Sequence, residues 1–274
     1  MMLKPRTRAL VCCVAILLGA CGGSAAPSPA PSTATPASPT VAVAASPTPK
    51  PQDAVGFVSA KLADGPLDTL PTSPLFINVL DVPQPPASPI QHAHIAGFVY
   101  AVTGVHQLTL QDSPPKDVKP GEAAFVPGTV AHTHANPGTT PSEWYFMALR
   151  NTGARTGAAL FPGQVTLYET PDLPVTAFPP GKYVEQLNVV TLEKGGRTAA
   201  HKHAGVEVII VLDGTVSFRV AGQAPQTLTK GKGAVVPRDT ALQAVNTGDG
   251  PAKFLAYFVT AEGAAFSTNV DSTP

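Results

Sequence analysis

Six of the seven histidines fall in pairs with a single residue between them: His92/His94, His132/His134 and His201/His203. Random placement in a chain of this composition gives about 0.2 such pairs. In an extended strand, residues two apart point to the same face, so each pair presents two imidazoles side by side. Glu207 shares that parity with His201 and His203. Two neutral imidazoles and a carboxylate converging inside a barrel make a metal site with open positions. The candidate metal ligands are therefore His92, His94, His132, His134, His201, His203 and Glu207. The ion is a divalent transition metal, and iron, manganese, copper and zinc all suit these donor types.

The elements that must carry these residues are strands. From Asp53 onward, short β-branched and aromatic runs alternate with Gly, Pro, Asn and Asp turns: "GFVYAVTG", "WYFMALR", "EVIIVLDGTVSFRVAG", "KFLAYFVTA". This is the pattern of an all-β sandwich or barrel. A weak helical periodicity is confined to "DAVGFVSAKLADG" near residue 53. The chain also repeats itself. "PIQHAHIAGFVYAVTG" (89–104) aligns with "AAHKHAGVEVIIVLDG" (199–214), and "PGEAAFVPGTVAHTHANPG" (120–138) aligns with "KGKGAVVPRDTALQAVNTG" (230–248). Two similar β units follow one another, at 53–152 and 153–274, with the join near 152–165.

The spacing of Gly195, His201, His203, Glu207 and Gly214 resembles the first motif of the cupin superfamily, G-x5-H-x-H-x3-E-x6-G. Gly121, Pro127, His132 and Asn136 resemble its second motif, with Thr129 at the second glycine. The chain is similar to a bicupin, and the resemblance implies two tandem double-stranded β-helix (jelly-roll) barrels over most of residues 70–262. Each copy departs from the pattern. In the first, His92, His94 and His132 match the motif histidines, the glutamate position is read as Phe98, and His134 is an additional imidazole on the face of His132. In the second, His201, His203 and Glu207 are present, but the second-motif histidine is Leu242 and the second glycine is Asp239. A three-histidine site resembles those of some cupin dioxygenases, and the set of two histidines and one carboxylate has the ligand types of a facial triad. His106 stands alone and reads as a surface or core residue; Tyr100 reads as core, with the lining of the first pocket as its alternative. Lys202 and Arg197 stand near the second histidine pair, where they can attract a carboxylate.

The N-terminus has a different purpose. "MMLKPRTRALVCCVAILLGAC" places Lys4, Arg6 and Arg8 before an apolar run, the layout of an export leader. Leu18-Gly19-Ala20-Cys21 resembles the bacterial lipobox, which implies a leader at 1–20 and a lipidated Cys21. Removal of the leader takes Cys12 and Cys13, so no disulfide framework is expected. It also takes three of the 18 basic residues and leaves 18 acidic ones, a slightly acidic product. Residues 21–52 form a Pro/Ala/Ser/Thr tract without large side chains, which reads as a disordered, extended tether. The charge pattern contains no basic stripe for nucleic acid.

These features predict an extracytoplasmic, lipid-anchored bicupin, monomeric with an internal pseudo-dimer, that handles a small organic molecule. Two classes fit. One is a metal-dependent enzyme, dioxygenase-like or decarboxylase-like by resemblance. The other is a non-catalytic surface protein that binds a small ligand or a metal.

Overall fold

The computed structural model describes residues 50–71 and 74–274; the leader, Cys21 and the tether up to residue 49 lie outside the described residues. The described chain is all β. In its first half the strands are β1 (Val55–Leu67), β2 (Leu75–Gln84), β3 (Ile90–His92), β4 (Gly97–Thr103), β5 (His106–Leu110), β6 (Lys116–Val118), β7 (Ala123–Val126), β8 (His132–Ala135) and β9 (Ser142–Asn151). Then follow β10 (Val165–Glu169), β11 (Tyr183–Arg197), β12 (His201–Lys202), β13 (Val206–Asp213), β14 (Thr215–Val220), β15 (Gln226–Thr229), β16 (Gly233–Val236), β17 (Leu242–Asn246), β18 (Ala252–Ala261) and β19 (Thr268–Asn269).

The first jelly roll is built from a sheet in the order β10-β2-β9-β4-β7 and a second in the order β3-β8-β5-β6. The second is built from one large sheet that runs β15-β14-β17-β11-β18-β13-β16. Two strands cross the join expected at 152. β1 pairs antiparallel with β11 along its length, Val58 opposite Thr191 and Leu67 opposite Tyr183, so residues 55–67 belong to the second barrel's sheet. β10 pairs with β2, Val165 opposite Asp81, and extends the first barrel's sheet. The weak helix expected near residue 53 is this strand β1. A lone helix of that length is marginal in water, whereas the edge of β11 offers a full ladder of backbone partners.

Three cores result. One fills the first barrel (Val99, Ala101, Trp144, Phe146), one fills the second (Ile209, Val211, Phe218, Phe254), and one lies between the barrels (Phe98, Tyr100, Met147, Val208, Ile210, Tyr257). Strands with both faces buried read as unbroken apolar runs, which is why "FVYAV" and "EVIIV" lack alternation. In the middle core the Tyr257 hydroxyl donates to Glu185 Oε1 at 2.5 Å. Burial pushes the Glu185 carboxyl up to about 7.

The register corrects one assignment. Gly97 lies opposite Val126 and Glu207 lies opposite Val236, so Gly97 occupies the place of the motif glutamate. Phe98 points the other way, into the core between the barrels, against Tyr257. The first copy is one residue shorter between its histidine pair and β4, and a shift of one residue moves a side chain to the opposite face.

Candidate metal centre

In the first barrel, β3 and β8 place His92 directly opposite His132 and Ile90 opposite His134. His94 follows two residues after the end of β3. One donor atom from each of His92, His94, His132 and His134 lies within 4.8 Å of the others. Among the described residues this is the group in which three or more such donors gather within reach of one ion.

Protonation states follow from the backbone. His94 Nδ1 donates to the Ile95 carbonyl at 2.6 Å, and His132 Nδ1 donates to the Val130 carbonyl at 2.7 Å. A carbonyl only accepts, so both rings carry their proton on Nδ1 and turn a bare lone pair out on Nε2. Those two Nε2 atoms face each other at 3.0 Å. Two lone pairs at that distance repel unless a cation lies between them. Nitrogens bound at right angles to one ion at about 2.1 Å lie about 3 Å apart, which is the separation seen. A shared proton is the poorer solution: burial, together with neighbouring imidazoles, pushes His94 down to about 3 and lowers His92 and His134 as well. His92 Nε2 and His134 Nε2 are also buried without a partner. Four imidazoles with unspent nitrogens are a donor set for a divalent transition ion.

His106, which the sequence gave no reason to single out, supports this cluster. It is 1% exposed on β5. Its Nε2 shares a hydrogen bond with His134 Nδ1 at 3.0 Å, which anchors the ring and leaves Nε2 as the remaining nitrogen of His134. Trp144 stacks under His134 at 4.8 Å and donates to Gln84 Oε1, while Gln84 Nε2 donates to the His134 carbonyl. Phe161, from the segment after β9, packs edge-on against His92 and His134. His106→Phe is expected to weaken metal binding roughly 10–100-fold, read by competition with a chromophoric chelator. Unchanged affinity would remove His106 from the site.

The second barrel repeats the frame with different occupants. His201 lies opposite Leu242, as His92 lies opposite His132. His201 Nδ1 donates to the Ala199 carbonyl and His203 Nδ1 to the Phe266 carbonyl. His203 Nε2 and Glu207 Oε2 stand 3.7 Å apart, both buried without a hydrogen bond. Burial pushes Glu207 up to about 8 and His203 down to about 4, the latter with help from His201. These groups line a cavity of about 220 Å³ whose walls are otherwise mainly apolar, including Phe57 of β1, Phe218, Leu242 and Phe254. Arg197 does not serve this cavity; its guanidinium donates to the carbonyls of Lys50 and Asp53.

The second-motif residues are structural in both copies. Thr129 and Asp239, at the glycine position, both adopt the left-handed conformation, φ +63° and +56°. Their amides donate to the carbonyls of His94 and His203, each at 2.7 Å. The turn thus clamps the second histidine of each pair. Asn136 braces the next turn through Gln84 O, Thr140 O and Gly138 N. Asn246 does the same in the second copy through Gly248 N and Gly250 O.

A family profile described as the cupin domain matches residues 81–148 and 188–258. Solved structures share the architecture. An oxalate decarboxylase of Lactobacillus farciminis in complex with formate is 15% identical, with a TM-score of 0.51 over 70% of this chain and 80% of that one. A variant of the oxalate decarboxylase OxdC of Bacillus subtilis is 18% identical, with a TM-score of 0.51 over 70% and 71%. Another structure of the Bacillus subtilis enzyme, described for its Mn(II) centres, is 15% identical, with a TM-score of 0.51 over 81% and 82%. At these identities the likeness is one of fold. No curated protein matches the chain.

Proposed function

The chain belongs to the cupin family, its domain recurring twice along the sequence, and from that premise we propose that it is a metal-dependent bicupin acting on a small organic molecule. The observation that carries this reading is the pair of facing Nε2 atoms of His94 and His132, 3.0 Å apart with both Nδ1 atoms committed to carbonyls. His92, His94, His132 and His134 hold the ion, and His106 orients His134. His201, His203 and Glu207 form a weaker second site, because Leu242 stands where the first barrel has His132.

A bound transition ion supplies Lewis-acid or redox chemistry of the dioxygenase or decarboxylase type. The chain's own contribution is to keep the imidazoles neutral by burial and to exclude bulk water with Phe161 and Phe146, which pack on the cluster. Burial raises the Glu207 carboxyl, so its ionised, metal-binding form costs more than in water, a further reason why the second site is the weaker one. The leader pattern and Cys21 support export and a lipid anchor outside the cytoplasm, with the folded chain a monomer on its tether.

The second reading is a non-catalytic protein that captures a metal or a small ligand. The close packing of Phe161 on the histidines favours it, since the cluster is then covered.

The test is metal content by mass spectrometry on the purified full chain, beside His92→Ala/His94→Ala and His201→Ala/His203→Ala. The expected result is close to one ion per chain, lost in the first variant and largely kept in the second. A parent chain that stays metal-free after incubation with iron, manganese, copper and zinc would overturn the reading. A metal-loaded chain that consumes neither dioxygen nor any carboxylic acid in a substrate panel favours capture.

A further inference from the structure

A second recess opens in the first barrel. It is a cavity of about 170 Å³ lined by Phe76, Asn78, Arg150, Arg155, Thr166 and Glu169, among others. Its chemistry is set by which charges are already spent. Arg155 donates to Glu169 Oε1 and to the Thr170 carbonyl, pairs with Asp172, and lies over the Phe76 ring at 4.2 Å. Glu169 is occupied by Arg155 in turn. Arg150 is half-buried. No hydrogen bond or ion pair reaches its guanidinium among the described residues. Glu169 acts on it only through its charge. Asn78 lines the same wall, and its amide nitrogen carries N–H donors.

The internal repeat sharpens the point. "PSEWYFMALRNTG" aligns with "PAKFLAYFVTAEG", which sets Thr260 in the place of Arg150. The corresponding recess of the second barrel is lined by Val184, Gln186 and Thr260, with no arginine. A half-buried guanidinium without a partner is costly, and only one copy carries it. Gln164, which lines the recess, accepts from the Phe161 amide at 2.9 Å, and the Phe161 ring packs on His92 and His94, so a single residue separates the recess from the metal cluster.

We propose that this recess is a carboxylate-binding site of the first barrel, in which the unpaired fork of Arg150 holds the carboxylate of a small organic acid beside the four-histidine cluster. The proposal deepens the metal-dependent reading by naming its substrate class, and it rests on that reading only for the neighbouring ion. One free guanidinium matches one carboxylate bidentately. Asn78 supplies a further donor. The apolar cavity around His203 and Glu207 then takes an uncharged ligand, and the two barrels divide ligands by charge.

Calorimetric titration of the full chain with malonate tests this, with malonamide and inorganic phosphate as comparison ligands. It is run on metal-loaded protein and on protein stripped with a chelator. Malonate is expected to bind in both, and Arg150→Gln is expected to weaken it at least tenfold in both, about 1.4 kcal/mol. Arg150→Thr, which installs the residue the second barrel carries, is expected to do the same. Retained metal in either variant shows that the barrel is intact. Malonate binding unchanged in both variants overturns the proposal. So does malonamide or phosphate binding as tightly as malonate. Failure of the metal reading shows separately, as a parent chain without metal that still binds malonate through Arg150.

Discussion

Adding zinc or manganese to the stripped protein is expected to raise its unfolding temperature by about 5–10 °C, and His94→Ala/His132→Ala is expected to abolish the rise. The size follows from linkage. An ion held at about a hundred times its dissociation constant stabilises the folded state by about 2.7 kcal/mol. One kcal/mol moves a domain of this size by roughly 2–4 °C. The source is the pair of Nε2 lone pairs held at 3.0 Å. Without an ion they repel across a dry gap; with one, both are satisfied at once. The variant removes the repulsion together with the ligands. Its metal-free form is therefore expected to lose less stability than two buried side-chain deletions would otherwise cost. Scanning calorimetry with and without ion reads both effects. An equal metal-induced rise in parent and variant would place the ion elsewhere.

Leu242→His is expected to turn the second barrel into a tight site and to raise the metal content from one toward two ions per chain. His201 and Leu242 face each other across β12 and β17 in the relation that His92 and His132 hold across β3 and β8. An imidazole at 242 enters a frame that already holds two histidines on carbonyl-anchored Nδ1 atoms and a buried carboxylate with a free oxygen. Leu242 is 2% exposed and belongs to the barrel core. Replacing it costs roughly 2–4 kcal/mol in the metal-free protein, from lost apolar packing and a buried polar ring. The variant is thus expected to be less stable than the parent when stripped and to recover on loading. A second ion held no more tightly than in the parent would show that the trio His201, His203 and Glu207 does not converge.

The histidine pairs were legible because a period of two fixes their common face whatever the strand's partner. The duplication was legible because both motifs recur in order. The glutamate position was not. Counting from His94 lands on Phe98, but the strand register puts Gly97 there, and pairing between strands is invisible in a single chain. His106 was missed for the same reason: its bond to His134 joins strands β5 and β8, whose neighbours are set by the closure of the barrel. Strand β1 was misread because it carries exposed Lys61 and Asp64 at a spacing that also suits a helix. Its true partner lies in the other half of the chain. Arg150 and Asn78 became informative only when the structure showed which neighbouring charges were already paired.

The crossing of β1 and β10 between the barrels bears on how the chain is made. β1 leaves the ribosome before any other described strand, yet Val58 must wait for Thr191 and Leu67 for Tyr183. At ordinary rates of synthesis, that interval is roughly 7–25 s. For its duration β1 is an unpaired strand, open to wrong partners, while β10, which completes the first barrel's sheet, appears before β11. The second barrel is therefore not a unit that folds from its own half of the chain. The second barrel closes its sheet only around a strand made before the whole of the first barrel, and a gene cut at the join between the repeats yields two halves that each lack a strand held by the other.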